Sequence, residues 1–331
     1  MPLPQPGPGE VLLRVDVATT CGTDVKVFLR GGHPRMLQVP SPFGHEVAGT
    51  VVSVGTGVER RSIGERVVVL NSAPCGTCDY CMADRENLCR DLQYLNGAFA
   101  EFLLVPQRFQ ERSTHAIPSR LPALQAALTE PLACVLHGIE RSRLTGQSDI
   151  LVLGAGPIGQ LFVAALTTKN HRVVLADPNP ERLILGLQMG AAATLHVQRS
   201  EERPEKVRRA AADPRGFDLA IDTSGNLAAW ELALEVVRPG GCVNLFGGCA
   251  PGTELALNTE NVHYNELTIV GSYHHRPSVV ERALELIASG SLPTELLISA
   301  EMPLDNTAGA LHAMMQKKAL KVAIRPQMKS S

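Results

Sequence analysis

The chain has few aromatic residues, little charge imbalance and no long apolar run. Of its 331 residues only 4% are Phe, Trp or Tyr, with a single Trp. Its core must therefore be mostly aliphatic, which suits buried parallel strands. The net charge is −2, from 31 Lys and Arg against 33 Asp and Glu. The electrostatic footprint of a protein that binds nucleic acid or an anionic membrane surface is missing. No stretch approaches the roughly 20 apolar residues of a bilayer span. The opening Met1-Pro2-Leu3-Pro4-Gln5-Pro6-Gly7-Pro8-Gly9 has neither the basic region nor the apolar core of a secretory leader, so the cytoplasm is the expected compartment. What is present is an ordinary globular composition, 44% hydrophobic and 19% charged, in a length that suggests two domains.

Four of the eight cysteines fall at Cys75, Cys78, Cys81 and Cys89. In a long chain of this kind such clustering reads as metal binding rather than disulfides. Four thiolates at close spacing make a closed tetrahedral site with no position open for chemistry. A zinc ribbon gripping nucleic acid is the competing reading. Between 75 and 91, however, Arg85 and Arg90 face Asp79, Asp84, Glu86 and Asp91, whereas a phosphate-binding lobe would be basic. A redox role for the paired cysteines is weaker, because this spacing favours metal.

A second donor set is less compact. Thr20-Cys21-Gly22-Thr23-Asp24 and Gly44-His45-Glu46 bring a thiolate, an imidazole and a carboxylate close in sequence. That is the ligand set of a catalytic zinc with one coordination position left open. A lone cysteine is more often a small buried hydrophobe, and the neighbours change that reading. Thr23 offers a hydroxyl placed to pass a proton from a metal-bound alcohol. Asp24 could accept a hydrogen bond from the second ring nitrogen of His45 and fix its tautomer. Loop-capping hydrogen bonds are the plainer use of both.

The Val11–Val17 stretch reads as a strand running into this metal loop, Val47–Val54 as another, and Gly97–Pro106 as a third. Leu121–Arg143 has a helical pattern that Pro131 kinks or restarts. Asp149–Leu153 is an apolar strand followed by Gly154-Ala155-Gly156-Pro157-Ile158-Gly159, which opens a helical segment to Thr168. In that context the glycines permit a tight turn and close approach of the backbone to a pyrophosphate, which the helix N-terminus favours. Asp177 ends the next strand, about 20 residues beyond the fingerprint, where a carboxylate binds a ribose 2′-hydroxyl and repels a 2′-phosphate. NAD is therefore expected over NADP. Arg172 and Arg182 pull the other way, since a nearby arginine accepts such a phosphate, and Arg182 is kept as a cofactor contact.

The alternation continues with a helix over Glu181–Met189, a strand over Ala193–His196 and a charged helix over Glu202–Ala212. Strands at Phe217–Asp222, Gly241–Gly248 and Leu267–Ser272 follow, with a helix over Leu227–Val237. Alternating strands and helices imply a parallel sheet with right-handed crossovers. Ligands bind beyond the carboxyl ends of its strands, so Ser224, Gly247 and Gly271 are expected to line the nicotinamide side, although each could be a plain turn residue. Pro277–Ser289 and Asp305–Lys317 read as amphipathic helices, and Lys321–Ile324 as a last short strand.

The pattern Gly44-His45-Glu46-x2-Gly49-x5-Gly55-x2-Val58 resembles, at every fixed position, the zinc signature of the medium-chain alcohol dehydrogenase superfamily. The cysteine lobe and the Gly97–Pro106 stretch are similar to the same family, and the resemblance covers essentially the whole chain. It implies an α/β architecture: a chaperonin-10-like β-barrel catalytic domain, residues 1–132 and 276–331, around a Rossmann domain with a doubly wound parallel sheet, residues 133–275. It implies two zinc ions per chain. Cys75, Cys78, Cys81 and Cys89 would hold the structural ion, and Cys21, His45 and Glu46 the catalytic one. In polyol and threonine dehydrogenases an acidic residue in a Glu-Pro motif completes that shell directly or through water, and Glu130 of Thr129-Glu130-Pro131 occupies its position. Cys134 does not match the cysteine that primary-alcohol dehydrogenases use there and is assigned to the core.

This form looks most like the sorbitol and threonine dehydrogenase branch. The implied reaction is reversible oxidation of a secondary alcohol to a ketone, with hydride passing to NAD. Zinc, which lowers the pKa of bound water from about 15.7 to about 7, would act as the Lewis acid, with Thr23 as proton relay. Two departures stand out. Lys26 replaces the histidine that the branch often carries as the outer relay, and an ammonium does not titrate near neutrality unless its pKa is depressed; His33 is a possible substitute. Relatives also usually carry a further pair of strands before the Pro-Gly-rich start, so either the true start lies upstream or an edge strand is open, with reduced stability expected. The alternatives are a threonine or other amino-alcohol dehydrogenase, the zinc-free quinone reductase branch, and a catalytically inert NAD-binding interaction protein. The expected partner is a small alcohol or polyol, contacted by the Gly31–Val39 loop and the regions of Tyr94 and Tyr273–Arg276. Assembly into a dimer or tetramer follows from the family.

Overall fold

Val11–Thr19 is a nine-residue strand with three partners. Glu46–Val54 lies antiparallel along its length, Phe102–Val105 pairs with its first half, and the C-terminal Lys321–Arg325 with its last residues. In this computed structural model, which describes residues 3–33, 35–38, 40–198 and 204–329, the chain divides into two units, Met1–Ala133 with His275–Ser331, and Cys134–His274. The first unit is built on a seven-stranded sheet in the order Ile298–Pro303, Lys321–Arg325, Val11–Thr19, Glu46–Val54, Arg66–Val69, Thr114–Ala116, with Phe102–Val105 branching from Val11–Thr19. The first and last long strands are thus neighbours, and one sheet is assembled from both ends of the sequence.

The period-two pattern explains which way this sheet faces. Leu13, Val15, Val51, Val67, Val69, Leu103, Val105 and Phe109 pack into one aliphatic core, each worth about 1.5–3 kcal/mol of apolar burial. Arg14 and Asp16, on the alternate positions, pair with each other at 3.0 Å, and Asp16 accepts from Thr50 at 2.7 Å. Gly55 has a steric cause: a Cβ there would meet the Gly7 carbonyl oxygen at 1.7 Å.

Several elements differ from the sequence expectation. The segment after Cys21 is a helix, Gly22–Arg30, packed on the Thr307–Met315 helix with the Phe28 ring edge-on to His312 at 5.5 Å. Leu121–Arg143 is two helices, Ala123–Ala126 and Thr129–Arg141. Pro131 sits in the first turn of the second, where its missing N–H would have no intrahelical partner anyway. The Gly97–Pro106 strand is confined to Phe102–Val105. The helix expected over Glu202–Ala212 is Pro204–Arg208, and Glu202 lies outside the described residues. Tertiary bonds end it early: Arg172 donates to the Ala210 carbonyl at 3.0 Å, and the Asp149 carboxylate takes the Ala212 N–H.

The second unit holds six parallel strands in the order Ala193–His196, Arg172–Asp177, Asp149–Leu153, Phe217–Asp222, Val237–Leu245, Thr268–Gly271. This is the doubly wound order, whose ligand crevice lies where the winding reverses, between the first and fourth strands in sequence. There Leu153 pairs with Ala176 on one side and Asp222 on the other. Gly159 lets the following helix, Pro157–Thr167, close onto the loop, because a Cβ would fall 1.8 Å from the Gly154 oxygen.

Gly55→Ala is expected to destabilise the protein by about 2 kcal/mol or more, read as a lower denaturant midpoint with an unchanged slope.

Candidate metal centres and dinucleotide crevice

Cys21 caps the Gly22–Arg30 helix. Its thiol accepts the Thr23 N–H at 3.4 Å, and Asp24 reaches back to the Cys21 N–H at 2.8 Å, a reciprocal capping box. The other oxygen of Asp24 lies 3.0 Å from Nδ1 of His45. One carboxylate therefore ties the thiolate-bearing turn to the imidazole and leaves the Nε2 side of the ring for a ligand. Asp24 and His45 are both buried. Burial opposes a charged imidazole, but the Asp24 charge and hydrogen bond outweigh it, so His45 is held well above the ordinary histidine range. Thr23 is half-buried and Lys26 exposed, on the same face of the helix by their i, i+3 spacing.

Glu46 lies opposite Thr19 in the sheet and is fully buried. Its Oε2 accepts from the Thr19 hydroxyl and from Nζ of Lys321, whose ammonium also donates to the Thr20 carbonyl at 2.7 Å. Among the described residues its Oε1 has no hydrogen-bond partner. Ligand atoms of Cys21, His45 and Glu46 lie within 4.8 Å of one another. A buried carboxylate oxygen without a donor is costly, and a cation shared with the thiolate and imidazole would satisfy it, so the donor set fits a zinc ion. Lys321 was not foreseen; a lysine between apolar residues of a strand is its only local signal.

Glu130 is buried near the start of the Thr129–Arg141 helix, with a carboxylate oxygen within 4.8 Å of a His275 ring nitrogen. His275 in turn meets Asn71 at 3.3 Å. His33 is committed to its own hairpin, its Nδ1 accepting Met36 N–H at 3.0 Å and Arg35 N–H at 3.2 Å. Pro34 and Val39 of the expected substrate loop lie outside the described residues.

Cys75, Cys78, Cys81 and Cys89 form the second donor set, with sulfurs 3.6–3.9 Å apart in the closest pairs. Zn–S bonds of about 2.3 Å put tetrahedral sulfurs about 3.8 Å apart. Backbone N–H groups of Thr77 and Cys78 point at the Cys75 sulfur, and those bonds, the Thr77 N–H foremost, lower its pKa to about 5. Burial pushes Cys81 up to about 12. The lobe's arginines are occupied: Arg90 forks onto Asp79 at 2.6 and 2.9 Å and, with Arg85, covers the Tyr80 ring.

In the second unit a cavity of about 560 Å³ opens at the reversal of the sheet, bordered by Gly154, Asp177, Ser224, Gly225, Asn226, Glu231 and Glu235, among others. Its described lining contains three carboxylates and no Lys or Arg. Asp177 accepts the Ala155 N–H at 2.7 Å on one oxygen and the Asn179 N–H at 2.8 Å on the other. Gly156 caps the Pro157–Thr167 helix, Pro157 and Ile158 are its first residues, and a Cβ at Gly156 would meet nothing within 4 Å. The loop is therefore open to a ligand at that point. Ser224 borders the same cavity as Asp177. Gly247 packs behind it against the Gly225 N–H and Asp222, and Gly271 ends the edge strand with its carbonyl facing Arg141 at 3.4 Å. Arg172 is tied to Asp149 at the far end of its strand, and Arg182 contributes its carbonyl to Gln160; neither borders the cavity.

The family description "Alcohol dehydrogenase GroES-like domain" matches residues 7–118, and "Zinc-binding dehydrogenase" matches residues 157–289. The sorbitol dehydrogenase of Bacillus subtilis is 32% identical over 98% of this chain and 93% of its own. The chain belongs to the zinc-dependent medium-chain dehydrogenases. Within that superfamily it falls in the sorbitol and threonine dehydrogenase branch, since the L-threonine 3-dehydrogenase of Chelativorans sp. is also 32% identical, over 98% of this chain and 93% of its own. Among solved structures, one described as a zinc-binding dehydrogenase of Sinorhizobium meliloti bound to NADP superposes with a TM-score of 0.88 at 29% identity, covering 98% of this chain and 94% of the other. The fold is thus a GroES-like domain with a Rossmann-type parallel sheet.

With metal stripped, Lys321→Met is expected to cost about 3–5 kcal/mol, because it leaves Glu46 buried without its cation. Urea unfolding of the stripped protein measures this, and Lys321→Arg should recover part of the loss.

Proposed function

We propose that this protein oxidises a secondary alcohol of a polyol or sugar alcohol to the ketone, reducing NAD. The observation that carries the reading is the Cys21–His45–Glu46 set with its unpartnered Glu46 oxygen, in the same chain as an acidic dinucleotide crevice. In this reading the unit with both cysteine-bearing donor sets is the catalytic domain, and the six-stranded unit binds the cofactor. The overall change is alcohol plus NAD⁺ to ketone plus NADH and a proton. A zinc held by Cys21, His45 and Glu46 would supply Lewis-acid polarisation of the substrate oxygen, and a dinucleotide in the crevice would supply the hydride acceptor.

The chain's own residues do the rest. Asp24 holds His45 in one tautomer and the Cys21 turn in place. Lys321 and Thr19 hold one oxygen of Glu46, so that the other faces the ion. The Thr23 hydroxyl, on the first turn of the capped helix, receives the proton released by the alcohol, and exposed Lys26 lies between it and solvent. A carboxylate has about four acceptor sites, and backbone N–H groups use two of those on Asp177. Two remain for the ribose hydroxyls, while among the described residues a 2′-phosphate would meet Asp177, Glu231 and Glu235 and no cation. NAD is preferred on that ground. Assembly into a dimer or tetramer and residence in the cytoplasm belong to the same proposal; among the described residues no helix is long and apolar enough to cross a membrane.

The threonine dehydrogenase reading keeps a place because of its relatives at 30–32% identity. Initial rates across polyols, cyclic polyols, simple secondary alcohols and threonine discriminate the two: a vicinal diol or polyol should turn over and threonine should not. Silence across the panel in a protein carrying two zinc ions per chain would count against both.

Wild-type kcat/KM for NAD should exceed that for NADP by at least about 100-fold, and Asp177→Ala should narrow the ratio mainly by losing NAD. Metal analysis should give two zinc ions per chain, His45→Ala keeping one and losing turnover.

A further inference from the structure

We propose that Asp222 is a positioning residue that fixes the wall of the dinucleotide crevice and thereby sets the affinity for the cofactor. This rests on the reading of that crevice as a dinucleotide site. Asp222 ends the Phe217–Asp222 strand at the reversal of the sheet, paired with Leu153 on one side and Leu245 on the other. It is fully buried and does not border the cavity itself. Its carboxylate accepts four hydrogen bonds: Ser224 N–H at 3.1 Å, Ser224 hydroxyl at 2.6 Å, Gly225 N–H at 2.9 Å and the Trp230 indole N–H at 2.9 Å.

These donors come from two separate parts of the wall. Ser224 and Gly225 belong to the turn that borders the cavity, while Trp230 sits on the Leu227–Val236 helix, whose Ala228, Ala229, Glu231 and Leu232 form the adjoining face. A local turn motif would need only the Ser224 and Gly225 bonds. The bond to Trp230 makes the same carboxylate tie turn to helix. Behind it there is no slack: a Cβ at Gly247 would lie 2.7 Å from Asp222 Oδ2 and 2.4 Å from the Gly225 nitrogen. Burial raises the pKa of Asp222, and the Ser224 hydroxyl leads the donors that hold it down. A buried carboxylate so fully satisfied locks the groups that satisfy it. Asp222 therefore acts on the cofactor through Ser224, Gly225 and the helix, by keeping the crevice in its bound shape before the ligand arrives.

Trp230 is the only tryptophan of the chain, so its emission reports on this clasp alone. The test uses the full-length, zinc-loaded protein and measures NAD binding by calorimetry and by Trp230 fluorescence. Asp222→Asn is isosteric but neutral and turns an N–H toward groups that are themselves donors. It is expected to raise the Kd and the KM for NAD at least about tenfold, with the KM for the alcohol unmoved. Trp230→Phe and Ser224→Ala, each removing one donor, are expected to raise the Kd for NAD by about threefold. A cooperatively melting Asp222→Asn protein with wild-type zinc content and wild-type Kd for NAD would overturn the proposal. Where Asp222→Asn does not fold, wild-type NAD affinity in both single-donor variants overturns it equally. A wild-type protein that binds neither NAD nor NADP removes the dinucleotide reading itself, and this proposal with it.

Discussion

The buried pair of Glu46 and Lys321 joins the two ends of the sequence and shapes the metal centre at once. Lys321 stands on the last strand and Glu46 on the second long one, and both flank the first strand. Two buried charges repay their desolvation only when hydrogen bonds satisfy what the pairing leaves over. Thr19 and the Thr20 carbonyl do this for the shared side of the pair. Among the described residues the other oxygen of Glu46 has no donor, and the carboxylate lies within 4.8 Å of the Cys21 and His45 ligand atoms. In protein without metal the pair keeps the carboxylate in place; a cation then meets a donor set that is already assembled.

Asp24 plays the matching part on the opposite side. Its two oxygens serve the Cys21 N–H and the His45 ring, so moving the capped helix moves both ligands together. A carboxylate in a first helical turn is stabilised by the helix dipole. The same residue thus favours the helix, orients a ligand and keeps the imidazole's second nitrogen protonated. Second ring nitrogens of metal-ligating histidines are commonly satisfied in this way, and here the partner comes from the helix that the thiolate caps.

What could be read in the sequence was what depends on spacing. The four-cysteine lobe, the glycine fingerprint between a strand and a helix, and the alternation of the second unit all declare themselves locally, because ligand and turn geometry reach over a few residues. The branch of the superfamily was legible for the same reason. The helix at Gly22–Arg30 was hidden because it opens with Gly22-Thr23, which reads as a turn, and its cap is a cysteine rather than one of the usual capping residues. Lys321 was hidden because its partner lies 275 positions away. The placement of Glu130 beside His275 depends on helix phase and on a residue far along the chain. Asp222 carried the local signal of an aspartate before Thr-Ser-Gly-Asn; what could not be seen was that Trp230 folds back to share it.

On the proposed reading, the preference for NAD over NADP rests on the sign of the charge around one ribose, not on the glycine loop. The loop's requirements, a close helix and an open Gly156, are the same for NAD and NADP, so similarity to an NADP-bound structure at 29% identity fixes the fold of the loop and not the phosphate. Arg172 and Arg182, the two arginines that the sequence sets against NAD, are directed elsewhere: one is held by Asp149 at the opposite end of its strand, and the other does not border the cavity. What faces the cavity instead is Asp177, with Glu231 and Glu235 beside it. Two backbone N–H groups hold Asp177 with two acceptor positions still free. Among the described residues a phosphate placed there would find no counter-charge, whereas two hydroxyls would complete the hydrogen bonding of the carboxylate. The proposed discrimination therefore rests on the lack of a phosphate donor among the described residues as much as on the presence of an acceptor for the sugar.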